Sequence, residues 1–393
     1  MHKGVAAAII TGSLLTGGAI GTALLGPGVA TAQSSSSSDS STASKTLRVA
    51  LIGPQSGQLA SLGDWDYKGV TLAAKEINAK GGAGGLKIQI TRMDDQGDPT
   101  TGGNLARKAV GQGFNVVFGS SSSTISLAML PILTAAKIPQ ITSGQADALT
   151  QQGSSFIFLD SPTSTTYDAT LAGYVVGKLG KKRIAMITNN GAYGKGEHDA
   201  FLAALEKAGL KPVADKVVTP DQKEMSGPLS RIRSARPDAL FIGAEEVESG
   251  LIAKQARSLG IDAPIVEGAP AGTPQYLETA GQQAAEGTIV SSPYLSNDLN
   301  AKTSAFAAAY KKAYGEASEL HGAKAYDGMQ MVAKAVATLN GKVTSEAIAQ
   351  AMHSITYDGL LGQFKYNDKG VGLSKTHIGV IKDGKVEAVE DAG

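Results

Sequence analysis

The sequence predicts an α/β protein of two similar lobes, each built on a mostly parallel, parallel-rich sheet. Three observations carry the prediction. Short apolar runs rich in β-branched residues alternate with stretches of helical spacing, which is the pattern of βαβ units. The alternation restarts partway along the chain, where Arg183-Ile184-Ala185-Met186-Ile187 repeats the character of Arg48-Val49-Ala50-Leu51-Ile52. Glycine supplies 49 of the 393 residues, which suits many tight strand–helix turns.

The first series opens with a strand over 47–52, apolar enough to be buried on both faces and stopped by Gly53-Pro54. Helical spacing of Val70, Leu72, Ala73 and Ile77 predicts a helix over 67–78, ended by Lys80-Gly81-Gly82. A strand follows by alternation over 86–90. Asp98-Pro99 is an N-cap followed by proline at the first helical position, so a helix runs to about 111. Strands are expected over 116–118, 139–142 and 156–160, with a helix over 123–136. The second series reads as helix 165–179, strand 183–187, helix 194–208, strand 213–218, helix 225–235, strand 239–242, helix 247–259 and a short strand at 265–266. Three helices (301–314, 322–339, 345–352) and two strands (363–366, 376–381) finish the chain. This tail is too short for a third lobe and is expected to cover the first lobe and then cross back.

Composition bounds the function. Hydrophobic residues are 42% and charged residues 18%, a globular balance. Lys+Arg 36 against Asp+Glu 35 leaves no basic footprint for nucleic acid. The absence of cysteine excludes disulfides, iron–sulfur clusters, cysteine zinc sites, thiol nucleophiles and a lipid anchor on an N-terminal cysteine. Residues 1–32 read as a secretory signal peptide: Lys3, an apolar stretch over 5–25, and the small-x-small site Ala30-Thr31-Ala32. The competing assignment is an uncleaved membrane anchor. Residues 33–45 are a Ser-rich flexible tether. The expected location is therefore secreted across the cytoplasmic membrane, periplasmic or associated with the cell surface.

Motifs of covalent chemistry are missing. No P-loop, GxSxG elbow, HExxH or SxxK is present, and His2, His198, His321, His353 and His377 have no metal-ligand spacing. The chain is read as not an enzyme, with no cofactor. In open α/β sheets ligands bind off the carboxyl ends of strands, and polar loops stand at such ends. Ser120, Ser121 and Ser122 lie between a strand and a helix start, where hydroxyls and free amides suit a carboxylate; simple N-capping is the alternative. Thr142-Ser143-Gly144-Gln145 follows the next strand, with a solvated turn as its alternative. Tyr193 in a Gly-rich junction is placed to stack on a ligand, or is a surface aromatic. Glu245 and Glu267 are candidates for a cationic group, against a dipole-complementing role at a helix start. Trp65, the single tryptophan, stands in Gly63-Asp64-Trp65-Asp66-Tyr67 and reads as a cleft wall in a polar loop, with core packing as its alternative.

Taken in order, several motifs resemble the solute-binding proteins of branched-chain amino-acid ABC transporters, the Leu/Ile/Val-binding protein family. They are Val49-Ala50-Leu51-Ile52-Gly53-Pro54-Gln55-Ser56-Gly57, Ile77-Asn78-Ala79-Lys80-Gly81-Gly82, Asp94-Asp95-Gln96-Gly97-Asp98-Pro99, the serine loop over 119–124, Ile138-Pro139-Gln140-Ile141-Thr142, Tyr193-Gly194-Lys195-Gly196 and Ala325-Tyr326-Asp327-Gly328. The resemblance covers 46–388. It implies a type I periplasmic-binding fold: two Rossmann-like lobes joined by a three-crossover hinge that closes on ligand. The implied lobes are 46–163 with 293–372 (N-terminal) and 164–292 with 373–393 (C-terminal). In the family, the loop matching Ser121 holds the ligand carboxylate, the loop matching Ser143 to Gln145 adds hydrogen bonds, and the residue matching Tyr193 packs over the ligand.

The sequence departs from the family pattern. Gln145 replaces a usual threonine, the acid that holds the ammonium is missing near Ala269, a tyrosine is missing near Ala244 and an aromatic near Leu62. Either Glu245 or Glu267 supplies the ammonium's counter-charge, or the ligand is an aromatic or aliphatic carboxylate without an amine. The expected function is capture of a small carboxylate-bearing ligand, a branched-chain or other amino acid, for an importer. The expected partners are an ABC permease and ATPase subunits in the membrane, with the protein itself a monomer. A ligand-sensing module for a membrane receptor is the alternative from another class. A hydrolase using Asp64 or Asp327 is a third.

Overall fold

The computed structural model describes residues 46–296, 300–340 and 343–389. The leader and serine tether expected over 1–45 lie outside the described residues. The first sheet has five parallel strands. They are β1 (Thr46–Gly53), β2 (Lys87–Asp94), β3 (Val116–Phe118), β4 (Gln140–Thr142) and β5 (Ile157–Leu159). Their order is β2-β1-β3-β4-β5, with Val49 opposite both Ile90 and Val116. That order reverses direction between β1 and β3, the point where a doubly wound sheet opens a ligand crevice. Helices α1 (Ala60–Ala79), α2 (Pro99–Gly111) and α3 (Ser123–Ala135) make the connections. The Asp98 carboxylate caps α2 by accepting from the Thr101 amide at 2.6 Å.

The chain then passes to the second layer through α4 (Ser164–Ala172), which continues as a π-helical turn over Gly173–Lys178. Strands β6 (Ile184–Asn189), β7 (Ala214–Val218), β8 (Ala239–Gly243), β9 (Ile265–Glu267) and β10 (Ile289–Ser292) alternate with helices. These are α5 (Ala192–Lys207), α6 (Ser226–Ser234), α7 (Glu246–Ser258), α8 (Pro274–Ala280) and α9 (Gln282–Ala285). A second passage leads to α10 (Ala301–Tyr314), α11 (Leu320–Ala337), α12 (Ser345–Ser354) and the hairpin β11 (Thr356–Asp358) with β12 (Gln363–Lys365). These pack on the first layer. A third passage returns β13 (His377–Lys382) and β14 (Lys385–Ala388) to the second sheet, ordered β14-β13-β10-β9-β8-β6-β7. The last two strands are antiparallel; the other contacts in that sheet are parallel.

Each layer has its own apolar interior. Leu47, Val49, Phe118, Val332 and Phe364 belong to a core between the first sheet, α1 and α11. A Cβ on Gly69 of α1 would lie 2.2 Å from the carbonyl oxygen of Gly322, so only glycine admits α11 this closely. In the second layer Phe201 of α5 stacks on Phe241 of β8, with ring centroids 3.9 Å apart and planes 5° from parallel. No helix among the described residues is long and apolar enough to cross a membrane.

The structure corrects several expected boundaries. Helix α1 begins at Ala60, seven residues before the expected start, and so contains Trp65. The run Gly63-Asp64-Trp65-Asp66 has the composition of a loop, but Gly63 is needed for packing: a Cβ there would lie 1.8 Å from the Pro54 carbonyl oxygen. Strands β10, β11 and β14 and helices α8 and α9 were not expected. Ile289 and Val290 are only two apolar residues between polar neighbours, and β10 exists because it is paired on both sides, with β9 and β13. Thr273 followed by Pro274 marks the start of α8, with Thr273 as its N-cap. The Thr273 hydroxyl accepts from the Tyr276 amide at 3.3 Å.

Candidate functional site

The carboxyl ends of the two sheets face each other, and the polar loops there meet across a cleft. From the first lobe come the serine loop after β3, the turn after β4 and the second turn of α1. From the second come the loop before α5, the β8–α7 junction and the turn after β9. Among the contacts between the lobes, two join helix α3 to α5 and α11 to α7 across the cleft. The Ala192 amide at the start of α5 donates to the Thr124 hydroxyl at the start of α3 at 3.0 Å. His321 of α11 places Nε2 3.2 Å from the Glu246 carboxylate of α7, both buried.

Two cavities lie in this cleft. The inner one is about 10 Å³ and is lined by Leu62, Ser121, Ser143, Gln145, Tyr193 and Glu245, with Ser123, Glu246, Pro270 and His321 around them. That is room for about one water molecule. The outer one is about 510 Å³ and opens between Gln58, Gln96 and Thr124 on one side and Asn189, Pro220 and Glu248 on the other. Glu245 lines both.

Of the residues expected at the site, Ser121, Ser143, Gln145, Tyr193 and Glu245 are brought together on the inner cavity, and Ser122 on the outer one. Four others line neither. Ser120 is fully buried beneath the loop, and Gly144 is buried in the turn, its amide donating to the Thr142 hydroxyl. Glu267 is fully buried at the end of β9. Trp65 is not a loop residue on the cleft wall. It sits inside α1, 7% exposed, and stacks on the imidazole of His321 at 5.7 Å and 16°, so it backs the histidine that crosses to Glu246.

The serine loop also differs from its expected use. Ser121 donates its hydroxyl to Asp66 at 2.6 Å, and Ser143 donates to the other oxygen of the same carboxylate at 3.2 Å. Both hydroxyls are therefore committed to a buried acid of α1. The donors left for an anion are the first amides of α3. Its N-cap, Ser122, makes no side-chain cap, and the first amides of a helix have no intrahelical partner.

The electrostatics of the cleft are dominated by carboxylates. Burial pushes the Glu245 carboxyl well above the usual range, and the neighbouring Glu246 and Glu248 add to it. Glu267 is raised in the same way by burial, with Glu246 and Glu197 adding to it. Burial also takes Glu197 to about 7, and its carboxylate lies 3.2 Å from where a Cβ on Gly268 would stand. On the first-lobe side burial, helped by Asp66, pushes Asp160 up to about 8, and burial pushes Glu319 to about 8. Lys324 of α11 is the buried cation facing Asp160, Asp66, Glu246 and Glu319. Burial lowers its pKa although these acids pull it back. Gln145 is 4% exposed and its Oε1 meets no hydrogen-bond donor.

Sequence reasoning missed Asp66, Glu197, His321 and Lys324. Asp66 had a signal: an acid at a position sharing one helix face with Leu62, Gly69 and Val70 is an acid turned inward. Lys324 and His321 had the same kind of signal in α11, among Ala323, Ala325 and Gly328. No group of His, Cys, Asp and Glu among the described residues could hold a metal ion.

Comparison with known proteins agrees with this architecture. The periplasmic binding protein family model matches residues 46–385. A Leu/Ile/Val-binding protein of Rhizobium johnstonii is 30% identical over 353 residues, covering 88% of this chain and 94% of that protein. The Leu/Ile/Val-binding protein of Escherichia coli is 27% identical over 326 residues, covering 82% and 87%. The crystal structure of a branched-chain amino acid transporter substrate-binding protein from Streptococcus pneumoniae, in complex with isoleucine, superposes with a TM-score of 0.81 at 26% identity, covering 87% and 98%. With a family model spanning nearly all the described residues and two lobes that close on a polar cleft, the chain belongs to the periplasmic binding protein family, among the solute-binding proteins of branched-chain amino-acid ABC transporters.

Proposed function

We propose that this solute-binding protein captures a small amino acid in the interlobe cleft and presents it to an ABC permease and its ATPase subunits. The amino group meets Glu245, and the carboxylate meets the first amides of α3 beside Ser122 and Thr124. The observation that carries this is Glu245: one carboxylate at the end of β8 lines the same cavity as Ser121, Ser143 and Gln145 of the opposite lobe. An ammonium there meets acids where the family's own acid, near Ala269, is missing. The many carboxylates disfavour the alternative, an amine-free carboxylate, because an anion would enter an already acidic cleft without a counter-charge.

Function is then a hinge equilibrium. Ligand contacts to both lobes shift it toward the closed form already stitched by Thr124–Ala192 and His321–Glu246. The ligand-facing halves correspond to 46–163 with 293–372 and 164–292 with 373–393. The protein works as a monomer outside the cytoplasmic membrane, after a leader ending near Ala32 is removed. The ligands of the relatives support an amino acid, namely leucine, isoleucine and valine for the Rhizobium and E. coli proteins and isoleucine for the Streptococcus structure.

Titration calorimetry with a panel of amino acids, each beside its 2-oxo acid analogue, tests the proposal. At least one amino acid is expected to bind, and its 2-oxo analogue, identical except for the amine, is expected to give no heat. Equal binding of both members of a pair would overturn it.

A further inference from the structure

Charges facing the cleft are one-sided. The outer cavity is lined by Glu245, Glu248 and Asp221 and by no lysine or arginine. Lys324 is fully buried among Asp160, Asp66, Glu246 and Glu319 and lines neither cavity, and His321 lies against Glu246. Glu248 is 4% exposed and is fixed by Asn189, whose amide donates to one carboxylate oxygen at 2.5 Å. The inner end adds an acceptor without a donor, Oε1 of the buried Gln145. An aliphatic side chain has no room in the inner cavity. The inner cavity is about 10 Å³, and its wall is largely polar. The outer cavity also has an apolar lining, Leu59, Ile125, Pro220 and Val247, beside its carboxylates, which suits a methylene stem carrying a charge at its far end.

We infer that the solute is a basic amino acid, whose side-chain cation spans the outer cavity to Glu248 and Asp221 while its ammonium meets Glu245 and its carboxylate meets the start of α3. The inference rests on the amino-acid assignment above and narrows it. The solute's three charges are met by the α3 amides, by Glu245, and by Glu248 with Asp221, all on the wall of the outer cavity or at its edge. A neutral branched-chain amino acid would use the first two and leave Glu248 facing an apolar group. A diamine would leave the α3 amides without a partner.

Calorimetry on the full chain with L-lysine, L-arginine, L-ornithine, L-leucine, cadaverine and benzoate decides the matter. At least one basic amino acid is expected to bind ten times or more tighter than leucine and than cadaverine. Glu248→Gln is expected to weaken that binding about tenfold while leaving leucine within threefold, a difference that a merely structural role would not produce. Asp221→Asn, at the exposed rim, gives the same ordering if Glu248→Gln does not fold. Leucine binding tighter than every basic amino acid overturns the inference and leaves the amino-acid assignment standing. Cadaverine matching lysine, or no heat from any basic amino acid, also overturns it. Binding of benzoate alone overturns both.

Discussion

Replacing Glu245 by glutamine separates ligand binding from folding. The residue lines both cavities and stands half-buried at the N-terminus of α7. A hydrogen bond to a charged group contributes about 1.5–3 kcal/mol, so loss of the carboxylate lowers amino-acid affinity by about 10- to 150-fold, at 1.4 kcal/mol per factor of ten. The ligand-free protein should not suffer. The groups facing Glu245 are Glu246 and Glu248 on its own helix, Glu197 and Tyr193 on α5 and Lys324 on α11. Most are acids, so a neutral amide relieves repulsion and the melting temperature holds or rises.

Calorimetry and thermal melts at pH 7 read the two quantities side by side. A proton count sharpens them. The free carboxyl is held above its usual range by burial and by those acids, and an ammonium beside it favours the charged form. Wild-type binding should release protons, visible as a heat that varies with the ionisation enthalpy of the buffer, and affinity should rise with pH. Both effects should vanish in Glu245→Gln. An affinity within threefold of wild type, or proton release unchanged in the variant, refutes the assignment.

Three further outcomes follow from the geometry. The ligand-free protein should lose stability as pH rises from 5 to 8. Asp95, Glu197, Asp327, Asp160 and Glu319 have pKa values raised by burial to about 6, 7, 7, 8 and 8. The native state thus keeps protons that the unfolded chain gives up above about pH 4.5. Each net proton is about 1.4 kcal/mol per pH unit; lowered pKa values of Lys324 and His321 act oppositely but are outnumbered, and a melting temperature that rose over this range would sink the account. Gly63→Ala should cost about 1–3 kcal/mol or more by forcing a methyl into the Pro54 carbonyl, read as a lower denaturation midpoint, whereas an unchanged midpoint would mean that α1 and the first loop are not in contact. Thr124→Val removes the acceptor that joins the lobes at 3.0 Å, about 0.5–1.5 kcal/mol, and should enlarge the radius of gyration in solution scattering; no change would place the closed state's stability elsewhere.

Much of the fold was legible because it rests on short-range signals. The Asp98-Pro99 start of α2, the apolar runs of β1 and β6 and the serine loop before α3 all stand where local patterning puts them. What was illegible depended on partners far along the chain. Nothing near Ile289 says that β10 will be flanked on both sides, and the polar run around Trp65 turns helical because Gly63 fits under Pro54 and α11 covers the opposite face. The site followed the same division. Ser121, Gln145, Tyr193 and Glu245 sit at strand ends, where topology alone directs attention. Asp66, His321 and Lys324 come from the middle of α1 and the start of α11, and their charges became part of the cleft only through packing between segments some 250 residues apart. The use of Ser121 was misjudged for that reason: a hydroxyl in a loop reads as a free donor until the buried acid opposite it is known.

The interleaving of the two layers has a consequence for synthesis. Tyr326 donates to Glu76, 250 residues earlier, at 2.6 Å, and β10 receives one of its two flanking strands only when residues 377–382 arrive. A nascent chain released to its midpoint has a first layer without α11 and a second sheet with an open edge. Neither can lock, because pairings of such long sequence separation form slowly and late. Neither layer can be completed, therefore, until the last strands emerge. For a member of a family that works outside the cytoplasm, that delay is an advantage: the chain can be drawn through a narrow membrane channel first and acquire its rigid form on the far side.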